Sequence, residues 1–119
     1  MDCSIIIINY KSASLVLDCI RSIRRESHKY QYEIIVVDNA SGDECRQQLE
    51  QEFADIRWIQ MEYNAGFARA NNAGIEASKG KYVLLLNPDT LILEGAIDKS
   101  MDHLAQYPEA VGCGVQLLN

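Results

Sequence analysis

Hydrophobic positions along the chain fall into two alternating patterns. The first is a set of short runs rich in β-branched residues: 4–8 (SIIII), 33–37 (EIIVV), 56–61 (IRWIQM), 82–86 (YVLLL) and 110–116 (AVGCGVQ). The first, second and fourth runs are almost continuously apolar, as expected of parallel strands covered by helices on both faces. The third alternates, with Ile56 and Trp58 on one face and Gln60 next in step, which predicts an edge strand.

Helical periodicity fills the gaps between these runs. Ser12 is placed to cap a helix whose Val16, Cys19, Ile20 and Ile23 form one apolar stripe. Asp43 is placed to cap a second helix, with Cys45, Leu49 and Phe53 at four-residue steps. A third is expected over 67–78, with Gly80 suited to a left-handed position after its end. The fourth puts Ile97, Met101 and Leu104 on one face and stops before Pro108.

The resulting order, βαβαβαβαβ, predicts an α/β fold with a mostly parallel sheet, helices on both faces and right-handed crossovers. The commonest such strand order begins 3-2-1-4, and ligands then bind outside the carboxyl ends of the strands, where the winding reverses. Topology therefore singles out Asn9 and Tyr10 after the first strand, Asp38 after the second, and Asn87, Pro88 and Asp89 after the fourth.

The 119 residues suffice for one compact domain, and their 48% hydrophobic and 24% charged content is that of an ordinary globular protein. A net charge of −6 argues against a nucleic-acid-binding surface, which needs excess Lys and Arg. It leaves room for one anionic small molecule, since a metal ion can supply local positive charge. Cys3, Cys19, Cys45 and Cys113 form no CxxC pair and have no His at ligand spacing, so buried thiols in a reducing cytosol are expected rather than zinc. No basic, signal-like leader precedes the first strand, and no apolar run approaches the length of a membrane span.

Each strand end carries a polar group with two readings. Asp38 can accept hydrogen bonds from a ribose hydroxyl or a base N–H, or can simply close an Asx-turn. For Asp38, nearest the strand end, the binding reading is preferred, and for Asn39, Ser41 and Asp43 the turn reading. Asp89, directed outward by Pro88, can hold a hard divalent cation whose remaining ligands are phosphate oxygens and water. In the stretch 64–74 (NAGFARANNAG), small residues allow close helix approach, and Arg69 either balances phosphate charge or is a plain surface cation. Asn71 and Asn72 are poor helix formers, so at least one is expected to hydrogen-bond something specific. Gly-rich dinucleotide loops and Walker motifs are missing, and His28 and His103 have no nucleophile partner.

Taken in order, 5–10 (IIIINY), 36–43 (VVDNASGD), 64–74 (NAGFARANNAG) and 84–90 (LLLNPDT) resemble the family 2 glycosyltransferases, whose nucleotide-sugar domain has the GT-A fold. The third and fourth stretches are closest in wording to rhamnosyltransferase-like members, which implies a UDP- or dTDP-linked donor. The resemblance implies inverting transfer of a sugar to a glycan or lipid-linked acceptor. By position, it assigns Asn9, Tyr10, Asp38, Arg69 and Asn87 to the nucleotide, and Asp89 to Mg²⁺ or Mn²⁺ on the diphosphate. Asn87 departs from the family's Asp-x-Asp motif by replacing its first acid. The general base is expected in a following segment, so the chain reads as a single donor-binding domain truncated at its C-terminal end. A non-catalytic nucleotide-binding module, and a fragment that pairs with another copy to complete its sheet, are the competing readings. The expected setting is the cytoplasm, with room for peripheral attachment of the full-length enzyme to the inner face of the plasma membrane.

Overall fold

The computed structural model describes residues 1–106. Along them four strands and four helices alternate: β1 (Cys3–Asn9), α1 (Ala13–Glu26), β2 (Tyr32–Asp38), α2 (Cys45–Glu52), β3 (Arg57–Gln60), α3 (Phe67–Ala77), β4 (Tyr82–Leu86) and α4 (Ala96–Gln106). The fifth strand expected over 110–116 lies outside the described residues, with Pro108 and Cys113. All the strand pairs are parallel and the order is β3-β2-β1-β4, as the alternation predicts.

The apolar strand runs do what their composition requires. Along β1, Ile5 and Ile7 pack with α1, α2 and α4 on one face, while Ile6 and Ile8 pack with Ala70 of α3 on the other. Ile5, Ile6 and Ile7 are 0% exposed, and burial of each such side chain contributes about 1.5–3 kcal/mol. Gly74 brings α3 close to the sheet: a Cβ there would lie 2.7 Å from a methyl of Ile6.

Three local expectations are corrected. Ser12 stands at the N-cap position of α1, but its hydroxyl donates to the Tyr10 carbonyl and caps no helical N–H. Gly80 is not a left-handed helix stop. Its Cα lies against β1, where a Cβ would sit 2.5 Å from the backbone of Cys3 and Ser4, so close approach demands the glycine. Finally, β4 is not covered on both faces by the described residues. Val83 and Leu85 are exposed, because α3 lies over β1 and β2 and leaves the same face of β4 bare.

The amino edge of the sheet is locked by one buried acid. The Glu33 carboxylate accepts from Ser4 Oγ, from the Lys79 N–H at 2.7 Å and from Arg57 Nη1 at 2.7 Å. Arg57 Nη1 also donates to the Ala77 carbonyl, so the network ties the end of α3 to β1, β2 and β3. Burial alone would raise the Glu33 pKa; the bonds from Ser4, Arg57 and the Lys79 N–H outweigh it and hold the carboxyl below its ordinary value. A carboxyl with a lowered folded pKa contributes stability above its unfolded pKa and loses it as pH falls through the folded value. Glu33→Gln is therefore expected to destabilise the fold by about 1–3 kcal/mol at neutral pH and to flatten the loss of stability on acidification. Urea unfolding of both proteins between neutral and acidic pH checks this.

Candidate functional site

Because all the strands are parallel, their carboxyl ends share one edge. The parallel register sets Asn9 of β1 beside Asp38 of β2, and Asp38 beside Gln60 of β3. These three form a polar row across the ends of otherwise apolar strands.

Asp38 is the centre of that row and is only 3% exposed. Its Oδ1 accepts from Asn9 Nδ2 at 2.7 Å and from the Ser41 hydroxyl. Its Oδ2 accepts from Gln60 Nε2 at 2.8 Å and from the Ser41 N–H at 3.2 Å. Burial would raise its pKa, but the bonds from Ser41, Gln60 and Asn9 outweigh it and keep the carboxyl below its ordinary value. Asp38 thus makes the Asx-type turn with Ser41 while standing at the carboxyl edge of the sheet, so the turn reading leaves the binding reading open.

Asn9 was expected at the nucleoside, yet it is 0% exposed. Its amide reaches Ser41 Oγ at 3.0 Å and the Asp43 carboxylate at 3.2 Å as well as Asp38, and its Oδ1 accepts from the Ser12 N–H. Asn9 therefore aims Asp38 and fastens the entry of α1, and any part in binding is exerted through them. Asp43 precedes the N-cap Glu44 and accepts from the Cys45 N–H at 3.2 Å, so it serves the entry of α2 from one position earlier than a cap. Asn39 Oδ1 accepts from the Ala65 N–H at 3.0 Å, which joins this loop to the start of the 64–74 stretch.

On the α3 side of the same edge lies a shallow cleft of about 300 Å³ lined by Ile8, Tyr10, Ser12, Asn39, Asn64, Phe67 and Pro88. Tyr10 and Phe67 are exposed aromatics on its walls, offering faces for a planar ring. Arg69 is exposed on the first turn of α3, with only a long 3.4 Å contact to the Tyr63 hydroxyl. Asn71 is buried and Asn72 exposed, and neither amide finds a hydrogen-bond partner among the described residues, contrary to the expectation for the pair.

The segment after β4 is a turn closed by the Thr90 N–H on the Asn87 carbonyl at 3.1 Å, with Pro88 at the position where its fixed φ suits the bend. Asn87 and Asp89 are exposed and Thr90 is buried, so the turn is anchored at its end and presents its acid to solvent. Asp89 has no hydrogen bond to the described residues, and its charge reaches the Cys19 thiol. That thiol is pushed up to about 12 by burial first and by Asp89 second. Cys3, Cys19 and Cys45 are all buried and free.

No three His, Cys, Asp or Glu side chains gather into a metal cage among the described residues. The described residues therefore build no cage that would hold a cation by protein alone. A cation bridging a diphosphate fits better, since it needs one or two carboxylates and takes its other ligands from phosphate and water. Among the described residues no helix is long and apolar enough to cross a membrane.

The structure thus joins Asn9, Asp38, Ser41 and Gln60 into one network and puts Tyr10 and Pro88 on a separate cleft beside it. Arg69, Asn87 and Asp89 stand apart from that network along the same edge. The sequence reading did not single out Gln60 as a site residue. Its signal was present all the same: Gln60 continues the in-step face of Ile56 and Trp58 to the end of the alternating run, and parallel register puts strand ends side by side.

Comparison with known proteins places the chain in a family. The sequence matches the family described as Glycosyl transferase family 2 over residues 4–117. TuaG of Bacillus subtilis is 29% identical over 106 residues, covering 87% of this chain and 42% of TuaG. The low-salt glycan biosynthesis hexosyltransferase Agl10 of Haloferax volcanii is 38% identical over 92 residues, covering 74% of this chain and 28% of Agl10. The chain thus spans less than half the length of these relatives. Among solved structures, S. aureus TarS 1-349 in complex with UDP superposes with a TM-score of 0.82 at 21% identity, over 91% of this chain and 33% of that one. At that identity the likeness establishes the fold alone.

Asn9→Ala removes one of four donors to a buried carboxylate. It is expected to cost about 1–3 kcal/mol of stability. It also brings the folded pKa of Asp38 closer to its unfolded value. Because the wild-type carboxyl is depressed, its linked stability exists above the unfolded pKa and disappears on acidification; the variant has less of it to lose. Acid titration of stability in both proteins checks this, and an unchanged pH profile would refute the coupling.

Proposed function

The chain belongs to Glycosyl transferase family 2, matched over residues 4–117, and from this premise we propose that it is the donor-binding part of a glycosyltransferase using a nucleoside diphosphate-sugar. The observation that carries the reading is that Asp38, the Tyr10 cleft and Asp89 all lie along the carboxyl edge of one parallel sheet. The structural neighbour TarS is described in complexes with UDP and with UDP-GlcNAc, which supports a uridine nucleotide. The rhamnosyltransferase-like wording of 64–74 and 84–90 keeps dTDP beside UDP.

In this reading Tyr10 offers its ring face to the base, and Asp38 accepts a hydrogen from the base or ribose. Asn9 and Ser41 hold that carboxylate ionised and oriented. Asn87 lies beside the nucleotide, and Arg69 approaches the diphosphate from the first turn of α3, where the helix dipole also favours negative charge. Asp89 holds Mg²⁺ or Mn²⁺. When bound, that cation supplies Lewis-acid stabilisation of charge on the leaving nucleoside diphosphate. Transfer is inverting, to a glycan or lipid-linked acceptor, with the general base and acceptor contacts supplied by a segment beyond the described residues. The setting is the cytoplasm, with the full-length enzyme peripheral to the membrane.

Calorimetric titration with UDP and dTDP, with and without Mn²⁺, tests the assignment on wild type and Asp89→Ala. Binding that strengthens with Mn²⁺ in the wild type and loses that gain in the variant is expected. The carboxylate's removal should weaken metal-dependent binding by at least about tenfold, or ~1.4 kcal/mol. Binding indifferent to both metal and substitution would sink the role of Asp89.

A further inference from the structure

Asp38 has no acceptor direction left for a ligand. A carboxylate offers about four lone-pair sites, and here all four are taken by protein donors: Asn9 Nδ2, Ser41 Oγ, the Ser41 N–H and Gln60 Nε2. For a base or ribose to donate to this carboxylate, one of these donors has to leave. Asn9 is 0% exposed and held by several other contacts. Ser41 is buried and grips Asp38 with both its hydroxyl and its N–H. Gln60 alone is exposed, at the end of the edge strand, and only its flexible side chain is committed.

Two further bonds show how the Gln60 amide is parked. Its Nε2 also donates to the Met61 carbonyl at 3.0 Å, and its Oε1 accepts from the Trp58 indole Nε1 at 3.1 Å. Trp58 is two residues earlier on β3, hence on the same face, and it is the protein's single tryptophan. Its ring packs against the core on one side and lies under the Arg46 guanidinium, 5.9 Å from the ring centre. Among the described residues Gln60 Oε1 is the polar partner of the indole N–H, so the indole reports on that side chain.

We infer that Gln60 is a displaceable plug on Asp38: the nucleotide's donor replaces the Gln60 amide on Oδ2, and the departing side chain releases the Trp58 N–H. The inference rests on the nucleotide-binding reading above and deepens it. The exchange trades one hydrogen bond for another at a charged acceptor, so the plug keeps the buried carboxylate satisfied when the site is empty and opposes binding by the strength of its own bond. Gln60 is a positioning residue of the free state, not a contact of the bound one.

The test is titration of the 119-residue chain with UDP, followed by calorimetry and by Trp58 fluorescence, in wild type and Gln60→Ala. The variant truncates an exposed side chain and leaves the Asn9 and Ser41 bonds to Asp38 in place. UDP is expected to bind Gln60→Ala about 3–10-fold more tightly, because it then displaces mobile water instead of a tethered amide. Wild-type Trp58 emission should change on saturation with UDP, whereas the variant should start near the bound-state emission and change little. If UDP binds the wild type but Gln60→Ala binds it equally or more weakly, the plug is overturned while the nucleotide reading stands. If the wild type binds no UDP, the nucleotide reading fails and the plug falls with it.

Discussion

The hydrogen bond from Asn9 to Asp38 is the contact on which the carboxyl edge depends. It joins the ends of the two central strands at the row where the apolar core stops and polar chemistry begins. A carboxylate at 3% exposure is costly to keep charged unless donors surround it. Asn9 supplies one donor from β1, Ser41 two from the loop after β2, and Gln60 one from β3. Three consecutive strands and the entry of α2 are therefore tied to a single side chain. The loop 39–43 takes its path from that tie, and Asn39 passes it on to the start of the α3 segment through Ala65.

The two edges of the sheet use buried acids in different ways. At the amino edge Glu33 is paired with a charged partner, Arg57, and with Ser4 and the Lys79 backbone N–H. That network fastens α3 and has the character of a structural lock. At the carboxyl edge Asp38 is held mainly by neutral donors, one of which sits on an exposed side chain. Neutral, replaceable donors keep the charge in place while leaving one position open to exchange, which a charged partner such as Arg57 would resist.

Much of this was legible in the chain. The period of the apolar runs gave the described strands and their sequence along the chain, and the observed 3-2-1-4 sheet is the commonest order for such an alternation. The position of Asp38 at a strand end followed from the same reasoning. What escaped was set by long-range packing. The bare face of β4 depends on where α3 lies, which no local pattern encodes. Gly80 reads locally as a helix stop, but the tertiary approach of its backbone to Ser4 is the reason only glycine fits. Asn9 looked like a ligand residue because it follows an apolar strand, and the register buries it behind Asp38. Gln60 reads only as a position on the edge-strand face, because its bond to Asp38 needs the neighbouring strand.

The most direct measurement is two-dimensional NMR of the ¹⁵N-labelled chain titrated with UDP and then with substoichiometric Mn²⁺. If the carboxyl edge holds a nucleotide and its metal, UDP shifts the amides of Tyr10 and of residues 38–41. Mn²⁺ then broadens first the amides of Asn87, Asp89 and Thr90. Broadening that begins elsewhere, for instance at the Asp98 and Asp102 acids of α4, with residues 38–41 unmoved by UDP, would contradict the placement of the site.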